Sequence, residues 1–205
     1  MLAVVVPSVD VSIGIDAAFR KGGMGVAFVD WKGKKMYGYI FENLIDTLDF
    51  FAHINLASLQ KYMPYSQLTN VPSVAILLEN SFMSNAKYRN TSNARSVEHK
   101  AFAEGLAVGR NQAVSHILSE LLGRVQAANP SIIKIDVSPE QKGKKLNEAE
   151  FGLYLRSDKM QLYRFTRGEL KSVESEKNQD IRDAGKLALC FNQFYIKSKL
   201  QKNDR

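Results

Sequence analysis

Four carboxylates stand where a folded chain could gather acids. Asp16 closes the apolar run Val11-Ser-Ile-Gly-Ile-Asp16, Glu79 closes Val74-Ala-Ile-Leu-Leu-Glu79, and Asp180 and Asp183 open a late helical pattern. Crowded carboxylates repel and raise one another's pKa, whereas a bound Mg²⁺ or Mn²⁺ reverses that effect and holds them ionised. Hard divalent cations take oxygen ligands, and a pair of them about 3.5–4 Å apart clamps the attacking and leaving oxygens of a phosphodiester. Phosphoryl transfer is the chemistry such a set would do.

The elements that must position these acids are legible as hydrophobic patterns. Segments 11–16 and 74–79 are apolar runs ending at an acid, as strands do at the edge of a parallel sheet where a ligand crevice opens. Segments 11–16, 24–30 and 35–41 read as an antiparallel meander joined by the turns Arg20-Lys-Gly-Gly23 and Trp31-Lys-Gly-Lys34. An amphipathic helix is expected over 47–63, a fourth strand over 74–79, a polar loop to about 96, a long helix to about 123 and a fifth strand over 131–137. A final helix begins at Asn178 and continues through Phe194, with Asp180 and Asp183 on one face because residues three apart share it. Between 150 and 170, Phe151-Gly-Leu-Tyr-Leu-Arg156 and Met160-Gln-Leu-Tyr-Arg-Phe165 read either as strands of a hairpin or as part of a helical subdomain. Periodicity alone says mixed α/β.

Motifs sharpen this. Ile13-Gly-Ile-Asp16 followed by Arg20-Lys-Gly-Gly-Met-Gly-Val-Ala-Phe28 resembles the first hairpin of the RuvC-type Holliday junction resolvases. Glu79-Asn-Ser-Phe82-Met is similar to that family's second catalytic block, Ser138-Pro-Glu-Gln-Lys142 to its strand-end Pro and Lys, and Asp180-Ile-Arg-Asp183-Ala184 to its terminal acid pair. The family usually has Pro-Gly after the first Asp, where this chain has Ala17-Ala18, and segment 143–177 is longer than the family pattern, so the chain resembles a divergent, phage-type relative.

The resemblance implies an RNase H-like α/β fold: a five-stranded mixed sheet, three antiparallel strands then two parallel, flanked by helices. It implies one nuclease domain over 1–205 with an insertion at about 143–177. Asp16 would bridge two Mg²⁺ ions, for which Mn²⁺ can substitute, with Glu79, Asp180 and Asp183 completing the ligands and a metal-bound water as nucleophile. Lys142 would stabilise charge on the scissile phosphate, and Phe82 would stack on an unpaired base at the junction centre. The implied activity is that of a crossover junction endodeoxyribonuclease, which nicks paired strands of a four-way DNA junction to leave 5′-phosphate ends in recombination and repair. The alternatives are an RNase H-like nuclease of other branched DNA or RNA–DNA hybrids, and a nucleic-acid-binding relative without turnover. An actin-like or sugar-kinase ATPase needs two such domains, and this chain reads as one.

Composition agrees with a nucleic-acid partner. The 205 residues are 45% hydrophobic, enough for one substantial core, and carry a formal charge of +7. Arg20, Lys21, Lys87, Arg89, Arg95, Lys144 and Lys145 cluster around the candidate acids, where they could grip backbone phosphates. Cys190 is the only cysteine, which excludes an intramolecular disulfide, reads as a buried small hydrophobe and suits a reducing cytoplasm. No run approaches the roughly 20 apolar residues of a membrane span, and no membrane partner is expected. In the long helix Ala101, Gly105, Gly109 and Ala113 recur every fourth residue; this smooth stripe packs either on the protein's own sheet or on a two-fold partner, since the resembled enzymes are homodimers.

Taken singly, each acid has a plainer reading. Asp180 and Asp183 also suit a helix start, where acids stabilise the dipole, and Asp16 and Glu79 suit a turn and a surface. His99 could assist a metal or a phosphate from the loop–helix junction but also suits a surface helix start, and His53 and His116 have no convergent partners in sequence; histidine is left out of the mechanism.

Overall fold

Seven strands, β1 (Val11–Arg20), β2 (Gly23–Asp30), β3 (Lys35–Phe41), β4 (Val74–Glu79), β5 (Ile132–Val137), β6 (Gln161–Thr166) and β7 (Glu169–Val173), form one mixed sheet in the order β5-β4-β1-β2-β3-β6-β7. The computed structural model describes residues 5–20, 23–83 and 94–203; the side chains of 18–20, 82, 94–107 and 201–203 lie outside the description. β1, β2 and β3 form an antiparallel meander, and β4 and β5 run parallel to β1. The sheet has seven strands rather than the expected five, because 143–177 contributes two of its own. β6 adds to the β3 edge in parallel, and Arg167-Gly168, both at positive φ, turn the chain back into β7.

Among the described residues seven helices cover the sheet: α1 (Leu44–Ala52), α2 (Leu56–Tyr62), α3 (Ala94–Ala128), α4 (Pro139–Lys142), α5 (Glu148–Ser157), α6 (Gln179–Leu189) and α7 (Phe191–Asn203). Strand alternation sorts them. Val11, Ile13 and Ile15 pack with Phe28, Ile76 and Leu78 against Phe51, Val114, Leu118 and Leu122 of α1 and α3. Ala27, Val29, Ala75 and Leu77 face the other way, toward Phe151 and Leu155 of α5, Ala184, Leu187 and Ala188 of α6, and Phe191 of α7. Of the two segments between 150 and 170, Phe151-Gly-Leu-Tyr-Leu-Arg156 is helical, within α5, whereas Gln161–Phe165 lies in the strand β6, whose hairpin partner is β7 and not the 151–156 segment.

Two expected helices are each broken in two. Within 47–63 the chain leaves the helix at His53 and restarts at Asn55, whose side chain accepts from Ser58 N while Ser58 Oγ accepts from Asn55 N. The final helix breaks at Cys190, which is buried as expected.

α6 lies unusually close to the sheet because the strands beneath it lack side chains. A Cβ on Gly14 of β1 would stand 1.9 Å from the carbonyl oxygen of Ala184, and one on Gly25 of β2 would stand 2.3 Å from that of Asp180. On β3, a Cβ at Gly38 would meet Ile181 Cγ2 at 2.6 Å. Ser12 Oγ, on the same face, donates to Ala188 O at 2.8 Å and fixes the far end of the helix. Among the described residues no helix is long and apolar enough to cross a membrane.

Candidate active site

The even-numbered positions of β1 set the site. Ser12, Gly14 and Asp16 share the α6 face, and Asp16 is the last residue of regular β1–β2 pairing before the register shifts. Such an irregularity ends the ladder and re-aims the residues beyond it. Asp16 pairs in parallel register with Glu79, so alternation carries both acids to the same face at the same sheet end. Gly25, directly opposite Asp16 on β2, receives the backbone of Asp180. The first turn of α6 is thereby laid beside the strand acids. Its N-cap, Asn178, accepts from the backbone N–H groups of Asp180 and Ile181 at 2.9 and 3.2 Å.

Two of the four expected acids, Glu79 and Asp183, meet at one ammonium, and the charge of a third, Asp16, acts on it. Lys142, 5% exposed, ends the one-turn helix α4, where Ser138 and Gln141 form a capping box. Its Nζ donates to Glu79 Oε2 and lies 3.2 Å from Asp183 Oδ2, an ion pair without hydrogen-bond alignment. Burial alone would lower the pKa of Lys142, but the charges of Asp16, Glu79 and Asp183 outweigh it and hold the pKa above the ordinary lysine value. Asp183 is fully buried, with Gln179 Nε2 donating to its Oδ1 at 2.7 Å. Asp180 is half-buried at the helix start.

This donor set is all carboxylate oxygen, and a buried cation already stands among it, which is the chemistry of a hard-cation site. Among the described residues, however, no group of three or more His, Cys, Asp or Glu is arranged to hold a metal ion. The acids therefore fit a divalent cation in kind. Glu79 and Asp183 are instead paired with the Lys142 ammonium.

The other expected residues divide. Lys145 Nζ lies 4.0 Å from Asp183 Oδ2, whereas Lys144 is turned away to Glu150 at 2.5 Å on the surface. Lys21, Lys87 and Arg89 lie outside the described residues, as do the side chains of Arg20, Phe82 and Arg95.

Several positioning residues were not read from sequence. Lys186, three residues beyond Asp183, donates to Lys142 O at 2.5 Å and Lys144 O at 2.9 Å, tying α6 to the loop after α4. Burial, then the nearby Lys142 charge among other influences, lowers its pKa. Its spacing from Asp183 on one helix face is the signal that could have found it.

Glu176, fully buried, ties the inserted hairpin to α6. Its Oε1 accepts from Asn178 N at 2.7 Å and pairs with Arg164 Nη1 of β6 at 3.0 Å, while its backbone carbonyl accepts from Arg182 Nη1 at 2.7 Å. No sequence pattern marks it, because its partner Arg164 lies in a strand whose neighbours are distant in the chain. Glu176→Ala should cost about 3–5 kcal/mol in denaturant unfolding, because Arg164 loses its buried partner. Glu176→Gln, which keeps an acceptor for Asn178, should cost less.

The pH dependence of Glu176 has a definite sign. Burial raises its pKa above the ordinary 4.5, so the folded state holds the proton more tightly than the unfolded state. Its contribution to stability is full below 4.5 and is lost as pH rises through the raised value. The Gln variant should lack that slope.

Compared with known proteins, the chain matches no family model, no curated protein and no solved structure.

Proposed function

We propose that this chain is a metal-dependent, structure-selective endonuclease of RNase H-like fold that resolves four-way DNA junctions by paired nicks. The observation that carries the reading is the convergence of Asp16 of β1, Glu79 of β4 and Asp183 of α6 on one buried cation at one end of the sheet. The mixed α/β sheet supports it only in its parts: β1, β2 and β3 are antiparallel, and β4 and β5 run parallel to β1. The hairpin β6–β7 is then an addition to that fold.

In this reading Asp16, Glu79, Asp180 and Asp183 would hold two Mg²⁺ ions, or Mn²⁺ in their place, and the metal would supply Lewis acidity for water attack on the phosphodiester with the 3′ oxygen leaving and a 5′-phosphate remaining. Lys142 gives up its place between Glu79 and Asp183 and turns its ammonium to the scissile phosphate. Lys186 holds the backbone of Lys142 meanwhile, so the side chain can move while its base stays fixed. Lys145, beside Asp183, neutralises a neighbouring phosphate, and Phe82 and the remaining basic residues keep the roles that the resemblance implies.

A symmetric junction asks for two such sites. Gly109 and Ala113 of α3 are exposed, with nothing within 4 Å of a Cβ at Gly109, which supports a two-fold partner on this stripe rather than the protein's own sheet. The compartment proposed is the cytoplasm, where the free thiol of Cys190 stays reduced.

One observation favours the reading without turnover: the Lys142 ammonium fills the space among the acids. The test is a cleavage panel with Mg²⁺ and with chelator, using a mobile four-way junction, linear duplex, a replication fork and an RNA–DNA hybrid. Symmetric, Mg²⁺-dependent nicks in the four-way junction alone are expected. Preferred cutting of the hybrid or fork would move the substrate, and tight binding without any cut would overturn the nuclease.

A further inference from the structure

β6 stays paired with β3 only as far as Gly38 and Arg164, and beyond that point the hairpin tip leaves the edge of β3. The gap is a groove of about 980 Å³ between the end of β3, the α1–α2 segment and the β6–β7 turn. Its position matters. The end of β3, like Asp16 and Glu79, lies at the sheet end where α6 begins, since Phe41 pairs with Met24 and Gly25 with Asp16. From β1 to β6 is three strand spacings, about 14 Å along the sheet, but Tyr39, like Val26 and Phe28, faces the α1 side whereas Asp16 and Glu79 face α6, so a strand joining the two would pass around the sheet end.

The groove is built of rings. Tyr39, 6% exposed, stacks on Phe165, 45% exposed, with ring centroids 5.5 Å apart and planes 25° apart. Tyr39 is fixed from below, because its hydroxyl donates to Tyr62 O at 2.6 Å and its ring meets Tyr62 edge-on. Phe165 is thus the open top of a stack whose lower member, Tyr39, is buried and anchored by its hydroxyl. Lys61 of α2 and Arg167 of the turn border the groove with exposed cations, and Glu42 and Asp46 line it with carboxylates. The remaining cation, Arg164, is already paired with Glu176.

We propose that this groove holds a single-stranded nucleic-acid segment flanking the cleaved strand, with an unpaired base on Phe165. A flat ring answers the open face of Phe165, exocyclic amines of a base answer Glu42 and Asp46, and the linking phosphates answer Lys61 and Arg167. No apolar ligand would use those four charges. The inference rests on the nucleic-acid reading above and adds to it the kind of substrate: one with unpaired nucleotides that continue around the sheet end from the acids.

The test is fluorescence anisotropy of a short labelled oligodeoxycytidylate, whose bases carry an exocyclic amine, and of the abasic oligomer of equal length, with the full chain in chelator so that nothing is cut. Wild type should bind the base-bearing oligomer about tenfold more tightly than the abasic one, the scale of one stacked base. Phe165→Ala should erase that preference. Arg167→Asn, which tolerates the positive φ of 54° at this turn, should weaken both oligomers equally. Circular dichroism of each variant checks that the hairpin is retained. Equal binding of the two oligomers by wild type, or an unchanged preference in Phe165→Ala, would overturn the proposal and leave the open β3 edge to an extended peptide. The two readings fail separately. A protein that shows the Phe165-dependent preference and cuts no DNA keeps the groove and loses the nuclease, and one that cuts junctions with no such preference does the reverse.

Discussion

Asp16→Asn should lower junction cleavage by about a thousandfold or more while leaving the fold intact. The scale is that of losing one group aimed at transition-state charge, about 10²–10³ at least, compounded by a weakened metal site. Asp16 is 3% exposed, and asparagine keeps its shape. Because Asp16, Glu79 and Asp183 outnumber the single Lys142 ammonium that they surround, removing one charge relieves repulsion. The melting temperature without metal should therefore hold or rise. A second readout is independent of turnover: a metal that binds only the folded protein stabilises it by mass action, so Mg²⁺ should raise the melting temperature of wild type and have little effect on the variant. Normal turnover by Asp16→Asn would dismiss the site, and a metal-induced shift that survives in the variant would move the ligands elsewhere.

A large effect on stability is also expected at Gly14. An added Cβ would stand 1.9 Å from Ala184 O and 2.9 Å from Ala188 N, both backbone atoms of α6, so no side chain can turn aside to admit it. Overpacking of this kind costs about 1–3 kcal/mol where neighbours can yield and more where they cannot. Gly14→Ala should accordingly cost about 3 kcal/mol or more, about 6–12 °C in melting temperature for a chain of this size. Gly123→Ala is the matched control, since nothing lies within 4 Å of its Cβ. Alanine in that helical position should stabilise by about 0.5–1 kcal/mol. Equal melting temperatures for Gly14→Ala and wild type would mean that α6 does not rest on β1.

The same glycines show where sequence reasoning ends. β1 and β4 were legible because each is an apolar run stopped by an acid, a pattern within a few residues. The helix start at Asn178 was legible from its cap and acids. That Gly14, Gly25 and Gly38 lie in a floor under one helix is a property of three strands in register, and register is not written in any one of them. The Lys142 contact was hidden for a related reason. A four-residue helix has too little periodicity to orient a side chain, and the partners Glu79 and Asp183 lie in other elements. The seven-stranded sheet was missed because β6 alternates weakly and pairs with a strand far earlier in the chain.

The inserted hairpin also bears on how the protein avoids its own copies. Without it, β3 would be a terminal strand of sequence Lys-Met-Tyr-Gly-Tyr-Ile-Phe, aromatic and without charge after its first residue. A strand of that kind, with a row of unpaired N–H and C=O groups, is a template for edge-to-edge polymerisation. β6 covers its first half, and the sheet ends instead at β7, five residues long, where Glu169 and Lys171 pair at 2.9 Å on a mostly exposed strand. Segment 161–173 therefore serves as a guard against aggregation, independently of any catalytic role, and the chain would be expected to need it to remain dispersed at the concentrations of its own synthesis.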